Sequence, residues 1–575
     1  MRFRKALLVV NGISRELQPN RANTFDEVYA DFQHQSENGE HYRIFLHPKQ
    51  DITVQRLELH FDLSLPAAAR FFANGYQSWS ESRWHSPDSR IPRLRRIARS
   101  RLGFYGDEHI AGIPRGRGQL HSWTYALVRY PAAGVLLMGS VNERTGFTLF
   151  LYDHASGTLT VRKDLDRLSL RHSFPALELW FQQGEEAAMF DAYFDKWEIK
   201  APAAPPVLGW TSWYAHFNQI TEALLLEKLD AFSAEPLFKA PGTVFQIDDG
   251  WQKEIGDWLS AKPVFPGGMR VLATKIREKG LQPGLWLAPF VVSPRSELAR
   301  RHPEWLLRDA NGRLVRAGWN PMWGGWYHAL DFYHEGVREY LSGVFHMVLE
   351  KWGYNLLKLD FLFAVALAPP PGKTRGGVMW EAMEFLRQQS GTARILACGV
   401  PLGAAFGLAD YCRISGDVHT AWRHPLLDFL KHRERVDTLA ALRSTLGRWR
   451  LNGRAFHNDP DVFILRVEGQ KLSPTQQHTL LTINALLGNI LFTSDDPSVY
   501  SPEQLSDLAE GLAWRGSAVR EVVEIAGDIW KIDFEQEGKN WTAYCNLNSE
   551  EKNLPSSNGV GMELRPYETL VLLAG

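Results

Sequence analysis

Apolar and polar positions alternate through the first third of the chain and change rhythm near residue 207. In Ile52-Thr53-Val54-Gln55-Arg56-Leu57-Glu58-Leu59-His60-Phe61 the side chains switch faces residue by residue, as on a half-buried strand. Gly134-Val135-Leu136-Leu137-Met138-Gly139 is a second short strand candidate. Few helical periods occur before residue 195, so this texture predicts a large N-terminal β-sandwich. The stretch Ala201-Pro202-Ala203-Ala204-Pro205-Pro206 reads as a linker.

From Val207 onward, short apolar runs alternate with amphipathic segments, the signature of parallel βα units. The predicted strands are Val207 to Tyr214, Thr243 to Asp249, Pro283 to Pro289, Asn355 to Phe361, Arg394 to Gly399, Tyr411 to Asp417, Ala455 to Asp461 and Asn489 to Asp495. Between them, Thr221 to Phe232 places Leu224, Leu225 and Leu229 on one helical stripe with Thr221 as cap. Gly336 to Trp352 and Pro474 to Leu487 read similarly. Eight strands with intervening helices predict a (β/α)8 barrel. After Arg515 alternation returns, in Val522 to Ile525, Ile529 to Phe534 and Glu568 to Leu573. A multidomain α/β protein is therefore expected: a β-sandwich over residues 1–200, a catalytic barrel over 201–512 and a small antiparallel β-domain over 513–575.

Composition narrows the functional classes. A chain of 575 residues exceeds what one core organises, which supports the division into domains. A net charge of -1 supplies no basic field for nucleic acid or an anionic membrane, so neither partner is expected. No apolar run reaches spanning length, and the run Ala6 to Val10 is too short for a signal peptide core and reads as a strand. Three cysteines, Cys398, Cys412 and Cys545, argue against a disulfide framework and for a cytoplasmic location. The densest basic run, Arg90, Arg93, Arg95, Arg96, Arg99 and Arg101, reads as a solvated face paired with acids elsewhere. Histidines lack metal-ligand spacing, and no metal or cofactor is expected. Tryptophan is the outlier at 21 residues, to be explained by buried cores or by stacking on sugar faces.

The predicted strand ends carry the chemistry. They present Trp213-Tyr214, Asp248-Asp249, Trp286, Lys358 with Asp360, Cys398, Arg413 with Asp417, Asp459 with Asp461, and Asp495-Asp496. One aspartate at a strand-to-helix turn is ordinarily a cap. Acidic ends on five of eight strands at one rim would repel one another, so a shared purpose is implied. Lys358 and Asp360 lie two apart and point to the same side. The lysine is expected to lower that carboxyl's pKa, which suits an ionised nucleophile. Asp417 follows Gly416 two strands further on and suits a carboxyl that carries a proton, with Arg413 as a clamp on hydroxyls or carboxylates. Two carboxylates facing one pocket are what acid-assisted cleavage of a glycosidic bond requires. Asp459, Asp461 and Asp495-Asp496 read as ordering their strand ends.

Seven segments resemble, in order, the motif series of glycoside hydrolase family 36, the retaining α-galactosidases. They are Gly209 to Tyr214, Phe245-Gln246-Ile247-Asp248-Asp249-Gly250, Gly284 to Phe290, Lys358-Leu359-Asp360-Phe361-Leu362-Phe363-Ala364, Cys398 to Leu402, Arg413-Ile414-Ser415-Gly416-Asp417 and Asn458 to Asp461. Upstream, Asn74-Gly75-Tyr76-Gln77-Ser78-Trp79-Ser80 resembles the loop that the family's sandwich extends over the barrel. The resemblance implies Asp360 as nucleophile and Asp417 as acid/base. It implies that Asp248 and Asp249 bind galactose hydroxyls, that Lys358 and Arg413 also hold hydroxyls, and that Trp286 and Trp79 form aromatic walls. Cys398 would pack near the sugar, with Trp213 and Tyr214 as further substrate contacts. Gly416 stands where some relatives carry proline, which is expected to loosen the Asp417 loop. The implied activity is release of terminal α-linked galactose from melibiose- or raffinose-type oligosaccharides. α-N-acetylgalactosaminidase activity or galactosyl transfer through the same site are the alternatives, and homo-oligomerisation stays open. A sugar-binding protein without catalysis is disfavoured by the presence of both carboxylates. A Schiff-base enzyme using Lys358 is disfavoured because Asp360 beside it keeps the amine charged.

Overall fold

The computed structural model describes every residue except 132, 166, 555–561 and 575. Its N-terminal third is two antiparallel sheets packed face to face. One runs in the order Ile13–Leu17, Arg2–Val10, Ile52–Asp62, Thr158–Lys163, Thr148–Asp153 and Gln119–Trp123, with Leu168–Leu170 paired to Ile52–Asp62. The other contains Val28–Gln35, Glu40–Pro48, Phe174–Gly184, Gly134–Ser140, Tyr125–Tyr130 and Arg70–Ala73. Its two faces explain an apolar pattern without gaps. Leu136 and Met138 point into the sandwich core, while Val135 and Leu137 point into the core shared with the barrel. A strand buried on both faces has no polar side to show.

The barrel begins with β1 (Val207–Thr211) and continues with β2 (Val244–Ile247), β3 (Gln282–Leu287), β4 (Leu356–Leu359), β5 (Arg394–Ala397) and β6 (Tyr411–Arg413), each parallel to the next. The seventh strand, β7, is in two pieces, His457–Asp459 on β6 and Val462–Phe463 on β8 (Ile490–Thr493), and β8 pairs with β1 to complete the ring. The break falls at Pro460, which has no N–H to give a ladder, and at Asp461, whose φ is 83°. The connecting helices are α1 (Glu222–Ala234), α2 (Gly268–Glu278), α3 (Glu335–His346), α4 (Arg375–Ser390), α5 (Thr438–Arg448), α6 (Pro474–Leu487) and α7 (Pro502–Ala513). Between β5 and β6 a 3-10 turn, Leu402–Ala404, stands in place of a helix.

The Thr221 hydroxyl accepts from the Leu224 amide as a cap should, but the buried stripe of α1 is Leu225, Leu229 and Phe232, with Leu224 half-buried. β1 ends at Thr211, three residues before the predicted end, because Trp213–His216 turns into a short helix. Two elements were not foreseen, and the last turns of a helix expected over Gly336 to Trp352 take an unexpected form. Helix Glu186–Lys196 packs on the sandwich, capped by Glu185. A three-stranded sheet, Val291–Val292, Gly325–Ala329 and Arg316–Asn320, interrupts the path from β3 to α3. Beyond α3 the helix continues as a π-turn, Met347–Trp352. After α7, Ala518–Ala526, Ile529–Gln536, Lys539–Asn546 and Thr569–Leu573 form a four-stranded antiparallel sheet. All three cysteines are buried and unpaired.

Candidate active site

The ends of the barrel strands meet a loop from the sandwich. Residues 74–82 cross onto the barrel, where the Ser78 amide donates to the Val400 carbonyl at 2.8 Å and its hydroxyl accepts from the Gly399 amide at 2.9 Å. Arg448, fully buried at the end of α5, fastens the two domains. Its guanidinium donates to Asn74 Oδ1 at 2.9 Å, Ser78 O at 2.7 Å, Gln77 O at 3.2 Å and Ile414 O at 2.8 Å. The loop thereby sets Trp79 over the barrel mouth, with its indole N–H 3.1 Å from Cys398 Sγ.

Beneath Trp79 lies a pocket of about 220 Å³. It is lined by Asp248, Asp249, Trp286, Lys358, Asp360, Asp417, Trp213 and Trp79 from the predicted set. Three predicted residues sit behind this lining. Cys398 is packed behind Trp79, and burial pushes its thiol well up, so it is no nucleophile at neutral pH. Tyr214 is buried and donates to Asp461 at 2.5 Å. Arg413 is committed to carboxylates: Asp417 Oδ1 at 2.8 Å, Asp459 Oδ2 at 2.9 Å and Asp461 Oδ1 at 2.8 Å. Of the two clamps foreseen for Arg413, the carboxylate clamp is the one seen.

Asp360 is held on both oxygens. Its Oδ2 accepts the Trp286 indole N–H at 2.9 Å, and its Oδ1 accepts the Phe361 amide at 2.9 Å. Phe361 itself adopts φ 54°, a left-handed conformation that turns the chain sharply just after the nucleophile candidate. The charge environment departs from the expectation. Lys358 sends its ammonium to Asp248 Oδ2, at 2.9 Å, on a different strand. Burial raises the Asp360 pKa, while Lys358 and the Trp286 hydrogen bond pull it back, and the net direction is up. Burial, the largest single influence, would lower the Lys358 pKa, but the negative groups around it, Asp248 first and Asp360 with it, together outweigh burial and the ammonium stays firmly charged, unfit for a Schiff base.

Asp248 receives Gln246 at 2.8 Å and Lys358 at 2.9 Å on one oxygen, and the Asp249 amide at 2.9 Å on the other. Asp249 accepts Gln252 Nε2 at 2.6 Å and the Trp323 indole N–H at 2.7 Å. Burial lifts the Asp249 pKa to about 6, against those two hydrogen bonds.

The Asp417 loop is not loose. The Asp437 amide donates to the Asp417 carbonyl at 2.9 Å, and the Val418 amide donates to Asp461 Oδ2 at 2.7 Å. A Cβ at Gly416 would meet the Arg435 carbonyl at 2.6 Å, so the glycine permits close approach rather than motion. Asp459 and Asp461 lie under the pocket, holding Arg413 and this loop, and Asp495 pairs with Arg466. Burial drives the Asp461 pKa up despite Arg413, because Asp417 and Asp459 add to its negative surroundings.

Most of the remaining lining comes from irregular segments or from turns of helix too short to leave a period in the sequence. Trp323 follows the inserted sheet strand, Tyr105 and Leu102 come from the sandwich domain, and Leu427, His432, Glu434 and Val436 come from the stretch between β6 and α5. Only the tryptophan count hinted at this: Trp79, Trp213, Trp286 and Trp323 all face the pocket.

Residues 206–371 match the family model described as Melibiase. The fold is similar to that of the α-galactosidase TtGalA from Thermus thermophilus solved with p-nitrophenyl α-D-galactopyranoside, with a TM-score of 0.70 at 31% identity over 93% of this chain and 98% of that one. A second structure of that protein, solved with stachyose, gives a TM-score of 0.69 at 32% identity over 84% of this chain and 99% of that one. The α-galactosidase AgaA of Geobacillus stearothermophilus is 36% identical over 121 residues, 20% of this chain and 16% of that protein's length.

Proposed function

This chain belongs to the glycoside hydrolase family 36 α-galactosidases, and we propose that it hydrolyses terminal α-linked galactose with retention of configuration. The observation that carries the reading is the pairing of a fixed carboxylate, Asp360, with a partly exposed one, Asp417, in one pocket. Asp417 protonates the glycosidic oxygen as Asp360 attacks the anomeric carbon. The leaving alcohol departs with that proton and a galactosyl ester of Asp360 forms. Asp417, now ionised, takes a proton from water, whose oxygen attacks the anomeric carbon and releases Asp360. Two inversions give net retention, a course that in general calls for carboxyls about 5–5.5 Å apart.

Asp248 and Asp249 receive the galactose hydroxyls, and Trp286, Trp323 and Trp79 shape the walls around its ring. Lys358 acts through Asp248, whose carboxylate it holds in place at 2.9 Å. We take melibiose- and raffinose-type oligosaccharides as substrates, since the pocket lining extends beyond the residues assigned to the galactose ring. No helix of the described residues is long and apolar enough to cross a membrane, and three unpaired buried cysteines fit a cytoplasmic enzyme.

The test is hydrolysis of p-nitrophenyl α-galactoside by the purified protein, with the anomer formed first read by proton NMR. α-Galactose appearing first supports the reading; β-galactose would mean an inverting enzyme. A panel of aryl glycosides including the α-N-acetylgalactosaminide separates the alternative specificity.

A further inference from the structure

Asp417 leaves its strand on a loop whose backbone is framed by residues 435–438. A Cβ at Gly416 would meet the Arg435 carbonyl at 2.6 Å and the Trp79 carbonyl at 3.3 Å, so the chain is wedged between the two. The Asp437 amide donates to the Asp417 carbonyl at 2.9 Å, and the Thr438 hydroxyl accepts the His419 amide at 3.2 Å. With no slack in these contacts, a shift of residues 435–437 is passed on to the acid/base.

A buried ion pair that takes no part in the chemistry holds that segment. Glu81, two residues after Trp79 in the loop from the sandwich, accepts Arg435 Nη1 at 2.7 Å on Oε2. The Glu81 amide donates to the Arg433 carbonyl at 2.9 Å, so its backbone and side chain grip the same stretch. Both members of the pair are buried. The second Glu81 oxygen faces Arg443 at 3.5 Å and Arg83 at 4.0 Å. Arg443 donates in turn to both oxygens of Asp528, in the turn between the first two strands of the C-terminal sheet. Burial would raise the Glu81 carboxyl, but Arg435, Arg83 and Arg443 together hold it well below the ordinary range, so it is ionised. Without Glu81, the buried Arg435 guanidinium is left with Asp437, whose Oδ2 is 3.6 Å from Nε. That carboxylate is already engaged by the Ala440 and His424 amides, each at 2.9 Å. Drawing Arg435 onto it displaces the residue whose own amide fixes Asp417.

We propose that Glu81 is a positioning residue for the acid/base, acting through Arg435 to place Asp417. The inference rests on the proposed glycosidase activity and deepens it: the sandwich domain sets where the acid stands as well as walling the pocket. The nucleophile does not depend on this pair, since Asp360 is held by Trp286 and the Phe361 amide.

The experiment compares wild type, Glu81→Gln, Arg435→Met and the double variant on methyl α-galactoside and 2,4-dinitrophenyl α-galactoside. Methanol must be protonated as it leaves, whereas dinitrophenolate leaves unaided, so kcat/KM for the aryl substrate is indifferent to the acid. Glu81→Gln keeps the side chain's size and removes its charge. Each single variant should lower kcat/KM for methyl galactoside about ten- to hundred-fold. The aryl substrate should change less than about three-fold, with galactose inhibition unaltered. The double variant should be no worse than the poorer single one, because the pair acts as a unit. If Arg435→Met does not fold, the ratio between the two substrates in Glu81→Gln decides the point alone. An equal loss on both substrates would mean a general loosening and overturn the positioning role. No loss on methyl galactoside, or losses that multiply in the double variant, would overturn it as well. A wild-type enzyme inert on both galactosides would overturn the glycosidase reading itself, and the positioning role with it.

Discussion

Asp360 is 6% exposed and accepts a hydrogen bond on each carboxyl oxygen, whereas 31% of the Asp417 side chain is exposed and its side-chain partner is Arg413. Both stand at the ends of parallel strands in one barrel, yet the first is held on both oxygens and buried while the second is partly exposed. A nucleophile has to arrive at the anomeric carbon in one geometry, and clamping by Trp286 and Phe361 provides it. An acid/base has to meet a leaving oxygen, then a water, so a freer carboxyl on an anchored backbone suits it. The difference in surroundings, more than the residue type, supports the roles proposed for them.

The sharpest way to break this comparison is to remove each carboxyl in turn. Asp360→Gly should lower kcat on the order of 10⁴-fold or more on every galactoside. Azide, entering the vacated face, should yield β-galactosyl azide. Asp417→Ala should lower kcat/KM for methyl galactoside by about 10²–10⁴-fold, and spare substrates with strongly acidic phenol leaving groups. With that variant azide should give the α-azide. Identical azide products, identified by NMR, would erase the distinction between the two sites.

Smaller changes sharpen it. Arg448→Met removes a buried guanidinium from one side-chain and three backbone oxygens, and should destabilise the protein by about 2–4 kcal/mol, read as a lowered denaturant midpoint. Trp286→Phe deletes one hydrogen bond to Asp360 and leaves Asp417 untouched. It should lower kcat roughly ten- to hundred-fold with little change in galactose affinity. The smallest effect expected is a pH dependence. Asp249 titrates near pH 6 because burial favours its neutral form. Folding holds that proton more tightly than the unfolded chain does, so the contribution to stability is present below the ordinary carboxyl range and is lost as pH rises through about 6. Galactose binding, which uses the ionised acceptor, should tighten up to about ten-fold between pH 5 and 7, and Asp249→Asn should flatten that profile in a titration series.

The barrel was legible in the sequence because its strands are buried on both faces and read as short apolar runs. The strand-end residues were legible for the same reason: once a strand is placed, its period says where Lys358, Asp360 and Asp417 emerge. What the period did not carry was lateral placement. Lys358 was expected to serve Asp360, its neighbour in sequence, but its ammonium meets Asp248 across the barrel, because inward side chains of different strands share the interior. Arg413 likewise meets Asp459 on the adjacent strand. Trp323, Tyr105, His432 and Glu434 lie on irregular segments where no periodicity exists to read, and only the fold brings them to the pocket. Gly416 was misread as a source of looseness, since its reason is a carbonyl from a residue 19 positions later.

The most direct test of the two-carboxylate account is to trap the glycosyl-enzyme. A fluorinated α-galactosyl fluoride that forms the intermediate faster than it hydrolyses should add one fluorogalactosyl group to the protein. Mass spectrometry of the digested adduct should place that group on Asp360. Labelling of Asp417 instead, or inactivation without any covalent adduct while galactosides are still cleaved by untreated enzyme, would contradict the account.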